Sequence, residues 1–188
     1  GPGFFSGTVA KLVEMFRVAS SAIRAADPSA VIVAPSVTQL WPNGTGRAYM
    51  RSMYTTSDGA GGTMGDWVDI ASVHLYTLTL ARIGEGQAMI KAVRDIMLDV
   101  GVSSKPLWNT EHTIISPAFP GATTEQRASA VKKLLICPAA SSAGGVDASF
   151  IYAPDSATCG LSADDVAAYN AMAASISGGI TDVRVAPD

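Results

Sequence analysis

Lys105-Pro106-Leu107-Trp108-Asn109-Thr110-Glu111-His112 is the stretch on which the reading of this chain turns. Pro106 to Asn109 reads as a short buried strand, and the run closes on a carboxylate. A Glu at the C-terminal tip of a parallel strand lies at the rim where α/β folds keep their chemistry. Glu111 is the only Glu of the sequence in such a position. Strand alternation puts Leu107, Asn109 and Glu111 on one face, and turns Trp108 and Thr110 toward the helices. The plain alternative is a solvated loop carboxylate. What argues against it is that the same architecture recurs three more times.

The other apolar runs are Ala30-Val31-Ile32-Val33-Ala34, Asp69-Ile70-Ala71-Ser72-Val73 and Val146-Asp147-Ala148-Ser149-Phe150-Ile151. Successive centres lie about 35 to 45 residues apart, the length of one βα unit with a generous loop. Amphipathic helices are expected in between. One carries Leu12, Phe16, Ala19 and Ile23 and stops at Ala26-Asp27-Pro28; a short one surrounds Tyr49, Met50, Met53 and Tyr54. A third bears Ile90, Val93, Met97 and Val100 and ends at Gly101, a natural residue just past a helix. A fourth opens at Thr123-Thr124-Glu125-Gln126 and a fifth at Ser162-Ala163-Asp164-Asp165. Ile180 to Val185 could add a surface strand.

This α-β alternation is the pattern of a parallel sheet with crossover helices. It fits half of a (β/α)8 TIM barrel or a small doubly wound sheet, and two features favour the half-barrel. No phosphate-cradling Gly-rich turn follows any strand, since Gly59-Ala60-Gly61-Gly62 lies far from a strand end. Polar residues also gather at the strand C-termini: Ser36 and Thr38, His74 and Tyr76, Glu111 and His112, Asp155. A barrel enzyme keeps its site there. The expectation is one (β/α)4 half-barrel domain over residues 1–188, a piece of a longer catalytic domain.

Composition sets the outer limits. A chain of 188 residues, 48% hydrophobic and 15% charged, suffices for one domain with a sizeable core. Its net charge of -3 without a basic run argues against nucleic acid and against an anionic membrane surface. No apolar stretch approaches the roughly 20 residues of a spanning helix. No signal-peptide pattern opens the chain, so secreted and cytoplasmic locations both stay open. Cys137 and Cys159 make neither a disulfide framework nor a metal site, and two idle thiols are expected over one bridge. Neither a metal nor another cofactor is implied.

The four runs together resemble the C-terminal half of the clan A glycoside hydrolases, retaining (β/α)8 enzymes, closest to family 39. Ala25-Ala26-Asp27-Pro28-Ser29-Ala30-Val31-Ile32-Val33 resembles the entry into strand five, and Asp69 to Tyr76 strand six with His and Tyr at its tip. Lys105 to Glu111 resembles strand seven, and Gly145 to Tyr152 strand eight. In strand eight, Ile151 and Ala153-Pro154 stand where the family often has aromatic residues. The resemblance covers nearly the whole chain and half of the family's barrel. Gly1 to Thr8 resembles the loop that follows the family's Asn-Glu-Pro acid/base motif, so that carboxyl group is expected to precede the sequence given.

What the resemblance implies is O-glycosyl bond hydrolysis with Glu111 as nucleophile. Retaining hydrolysis uses two carboxyl groups roughly 5 to 5.5 Å apart. His74 or Tyr76 is expected beside Glu111, since a donor there orients a carboxylate and favours its charged form. Trp41, in Gln39-Leu40-Trp41-Pro42-Asn43, could stack on a sugar, and His112 and Tyr152 are further candidates for substrate contact. Asn43-Gly44-Thr45 matches a glycosylation sequon of little weight. Asp155 and Glu85 read as turn and helix-cap residues. The chain by itself is therefore expected to turn over little substrate.

Two other classes compete. One is a non-catalytic half-barrel that binds carbohydrate or assembles with another chain. The other is an unrelated α/β hydrolase, against which the lack of a Gly-x-Ser-x-Gly elbow argues. Self-association is expected in either half-barrel, as a homodimer or with a complementing half. Neither the Ala30–Ala34 edge nor the Val146–Ile151 edge carries Lys, Arg or Pro. Val31, Val33, Ile70 and Leu107 would line a groove open to water.

Overall fold

A computed structural model describes residues 5–76, 86–112, 123 and 145–151 of the chain. They fall into two compact units, Gly1–His74 with Ala92–Trp108, and Leu75–Lys91 with Asn109–Asp188.

The first unit opens with helix α1 (Val9–Ala26). Thr8 caps it, its Oγ1 accepting the Lys11 amide at 3.2 Å, and Pro28 stops it, having no amide to offer. Of the expected stripe, Leu12 is buried and Phe16 half-buried, whereas Ala19 is exposed and Ile23 is 44% exposed. The inward face turns instead on Val13 and Ser20. Arg17 and Arg24 share that side and reach carboxylates, which is why it is less apolar than periodicity suggested. Arg17 Nε lies 3.3 Å from the fully buried Asp58 Oδ2, and Arg24 Nη2 donates to both Asp69 oxygens at 2.8 and 2.9 Å.

Helix α2 (Gly46–Thr55) buries Met50, Met53 and Tyr54, as expected. A one-turn helix α3 (Met64–Trp67) was not expected. Its signal was Thr63-x-x-Asp66, a capping box in which Thr63 N donates to Asp66 Oδ2 at 2.7 Å. These three helices pack on one another.

The first apolar run pairs in parallel with the second, through bridges Val33–Ile70 and Val37–Val73, without forming a continuous strand. Four residue steps on one side match three on the other, so one extra residue is bulged out. Pro35, which has no amide, lies in that interval. Strand β1 spans Ala71–His74. Asp69 Oδ2 accepts the Ile32 amide at 2.8 Å and so pins the start of the pairing.

Helix α4 (Gly86–Asp99) buries Met89, Ile90, Val93, Ile96 and Met97. It ends as its sequence demands: Gly101 adopts φ +76°, its amide donates to Leu98 O, and Val102 N donates to Met97 O at 2.8 Å. This doubly bonded termination needs a left-handed residue at Gly101. Strand β2 (Leu107–His112) runs three residues beyond the expected end at Asn109, and β3 covers Ala148–Ile151.

The three strands form one parallel sheet in the order β1-β2-β3. The architecture is mixed α/β and compatible with part of an α/β barrel. Leu107 is fully buried and Ile70 6% exposed, so the expected groove of Val31, Val33, Ile70 and Leu107 is not open to water; only Val31, at 62%, is strongly exposed. The fourth and fifth expected helices, the Ile180–Val185 run, Glu85, Cys137, Cys159, Tyr152 and Asp155 lie outside the described residues.

Candidate active site

Strand β2 carries the site of the second unit. Its burial alternates through Leu107, Trp108, Asn109 and Thr110, buried then half-buried, as a strand with one face in the core should. At the end the pattern shifts: Glu111 is half-buried and His112, beside it, only 2% exposed.

Glu111 meets Tyr76. The phenol Oη donates to Glu111 Oε2 at 2.6 Å, a short bond of the kind a carboxylate acceptor makes. The backbone reinforces this pairing, because Leu75 N donates to the carbonyl of Glu111 at 3.1 Å. Strand pairing therefore carries Tyr76 past the end of β1 and alongside Glu111.

A buried polar network lies behind this pair. Asn109, with no exposed surface, accepts the Leu75 amide on Oδ1 at 3.0 Å. Its Nδ2 donates to Ser149 Oγ of β3 at 2.9 Å, and Ser149 Oγ stands 3.1 Å from His112 Nδ1. Burial disfavours the charged imidazole of His112 and outweighs a hydrogen bond with the Phe150 backbone, so its pKa falls to about 4. His112 is thus neutral near pH 7. Asn109 and Ser149 escaped the sequence reading, in which a strand-interior Asn and Ser carried no signal; only their spacing to Glu111 and to the fourth run could have hinted at a cross-strand pair.

The remaining candidates among the described residues fall in the first unit. His74 is half-buried at the end of β1, where its amide donates to Val37 O at 2.9 Å, and Ser36 and Ser72 touch through their hydroxyl groups. Trp41 is half-buried in a loop built without slack. Gln39 takes a left-handed φ of 59°, Gly46 N donates to Gln39 O at 3.1 Å, and Arg47 Nε clamps Leu40 O at 2.6 Å. A Cβ on Gly46 would overlap the Thr38 carbonyl oxygen. Asn43 is exposed on the same loop. Among the described residues no three His, Cys, Asp or Glu side chains gather as a metal site, and no helix is long and apolar enough to cross a membrane.

A carboxylate held by a phenol at the end of a parallel strand can act as an oriented nucleophile or base. No family model and no curated protein matches the chain. Among solved structures, it is similar to the crystal structure of a glucosidase from Croceicoccus marinus, at 19% identity and a TM-score of 0.61. That similarity covers 92% of this chain and 37% of the glucosidase, so the chain spans little more than a third of that protein's length. At this identity the likeness is one of fold alone.

Proposed function

We propose that the chain is a single half-barrel domain from a retaining glycoside hydrolase of clan A, similar to family 39, with Glu111 as its nucleophile. The observation that carries this reading is the 2.6 Å bond from Tyr76 Oη to Glu111 Oε2 at the end of β2. The fold likeness to a glucosidase supports it and suggests a glycoside as substrate. In this reading Glu111 attacks the anomeric carbon, the bond to the leaving oxygen breaks, and the electron pair departs with the leaving group. Tyr76 holds the attacking carboxylate in line. Tyr152 is assigned to substrate contact in this reading, and so, each within its own unit, are His74 and Trp41; His112, being buried, has an indirect part instead of the substrate contact expected of it.

The test uses 2,4-dinitrophenyl 2-deoxy-2-fluoroglucosides of both anomeric configurations. Dinitrophenolate leaves without a proton, so labelling reports on the nucleophile alone. One added fluoroglucosyl mass, mapped to the peptide containing Glu111 and absent in Glu111→Gln, is the expected result. Sugar binding without any adduct would favour the alternative, a non-catalytic half-barrel. Pairing with a second copy or a complementing half is proposed too, supported by Val31 exposed on the edge run. A clean monomer in analytical ultracentrifugation would overturn the homodimer.

A further inference from the structure

We infer that Asn109 is a positioning residue for the Tyr76–Glu111 pair, acting through the backbone of Leu75 and anchored in turn by Ser149. The inference rests on the reading of Glu111 as nucleophile. Asn109 follows the core-facing Leu107 by two residues, a place where packing alone would select another aliphatic side chain. An amide buried there costs stability unless both its ends are bonded. Both are. Oδ1 takes the Leu75 amide at 3.0 Å and Nδ2 gives to Ser149 Oγ at 2.9 Å.

The placement of the first of these bonds gives the role. The Leu75 amide already donates to Glu111 O at 3.1 Å, so one N–H is shared between the backbone of Glu111 and the side chain of Asn109. Two acceptors fix the orientation of the His74–Leu75 peptide, one residue before Tyr76, whereas one would allow it to swing. Regular pairing of β1 stops at His74, so this three-centre bond is what extends strand-like order to the residue before the phenol. Ser149, itself 3.1 Å from His112 Nδ1, keeps the Asn109 amide from rotating. Tyr76 then meets Glu111 at 2.6 Å without having to find it.

The experiment has two readouts on the full chain. The first is the Raman ring doublet of Tyr76, isolated by difference against Tyr76→Phe, which reports whether the phenol donates. The second is the rate at which a dinitrophenyl fluoroglucoside labels Glu111. Asn109→Leu is expected to shift the Tyr76 doublet toward weaker donation. It should also slow labelling by about 10- to 100-fold, since a misplacement near 1 Å is worth about 10²-fold. Tyr76→Phe should slow labelling comparably, and the double variant should be no slower than either single one. A purely structural Asn109 would leave the doublet unchanged and give additive losses; either result overturns the inference. Should Asn109→Leu fail to fold, Ser149→Ala takes its place, with a smaller shift in the same direction expected and an unchanged doublet overturning the role. A chain that never labels sinks the nucleophile reading, while the Raman difference still decides whether Asn109 holds the phenol.

Discussion

Asp69 in the first unit and Glu111 in the second are both carboxylates beside a parallel strand, and they are held in different ways. Asp69 faces a guanidinium on both oxygens and takes the Ile32 amide as well. Asp58 is treated alike: its Oδ1 takes the Ala60 and Gly62 amides at 2.7 and 3.1 Å, and Arg17 stands at its other oxygen. Such groups are matched in charge and geometry and serve to hold loops to helices. Glu111 instead accepts the hydroxyl of a neutral phenol near the C-terminal end of its strand. A phenol orients a carboxylate through one directional bond, as the proposed role of Glu111 requires. If Glu111 is the nucleophile, as proposed, the bonding partners that are seen, and not the mere presence of a carboxylate near a strand, distinguish it from Asp69 and Asp58.

Acid should separate the two units first, and this is the largest expected effect. His112 titrates near 4 in the folded chain, below the 6.5 of an unperturbed imidazole. The unfolded state therefore binds the extra proton first, and the stability present above about pH 6.5 drains away as pH falls toward about 4. The loss is on the order of 3 kcal/mol. The first unit runs on a lower window. The amide of Ile32 chiefly holds the Asp69 pKa below 3.8, overcoming the opposing effect of burial, with Arg24 assisting. In Asp58, burial would raise the pKa, but the Ala60 and Gly62 amides and Arg17 together depress it. Stability from these carboxylates is intact above 3.8 and is lost only as pH falls through their lower folded values. Urea unfolding followed by residue-resolved NMR should show amides near Ser149 weakening before those near Ile32. Simultaneous loss would break the comparison, and His112→Gln should flatten the upper limb.

Next in size is Gly46→Ala. The added methyl group meets the Thr38 carbonyl oxygen, which belongs to backbone and cannot rotate away. Overpacking of this kind costs about 1 to 3 kcal/mol, to be read as a lowered thermal midpoint. An unchanged midpoint would mean that the Trp41 loop is looser than its bonds imply.

Asp69→Asn should cost less, about 1 kcal/mol, because Arg24 and Asp69 are 34% and 43% exposed and solvent screens their attraction. The loss should shrink in high salt. An effect independent of salt would assign the cost to the Ile32 amide instead.

How much of this was legible in the sequence differs between the same two regions. Glu111 and Tyr76 could be found because their strands are apolar runs that end abruptly, and a polar residue at such an end stands out. The contact between them followed from parallel pairing. The extent of β2 through His112 could not be read, since Thr110, Glu111 and His112 break the apolar pattern while backbone pairing such as Leu75 N to Glu111 O carries the strand on. Asp69 was visible only as the first letter of a strand, and its partner Arg24 lies 45 positions away on a helix. The α1 face was misjudged for the same reason. Arginines that point inward to buried or half-buried carboxylates look, in sequence, like residues meant for solvent. Local periodicity shows where apolar surface goes, and long-range charge pairing rotates it.

The smallest expected stability change is at Glu111 itself, and it is the sharpest test of the contrast with Asp69. In Glu111→Gln the amide oxygen can still accept the Tyr76 hydroxyl, so the bond that orients the side chain survives while the charge is lost. A scaffold carboxylate would be missed, as Asp69 should be. With the Tyr76 bond retained, a carboxylate kept for reaction should be replaceable at a cost under about 1 kcal/mol, near the centre of the range for single substitutions. Labelling by the fluoroglucoside should nevertheless vanish, because an amide does not attack the anomeric carbon. Unfolding curves and intact masses on the same variant decide the matter together. A large loss of stability alongside retained labelling of another residue would make Glu111 structural and return the chemistry of this chain to the search.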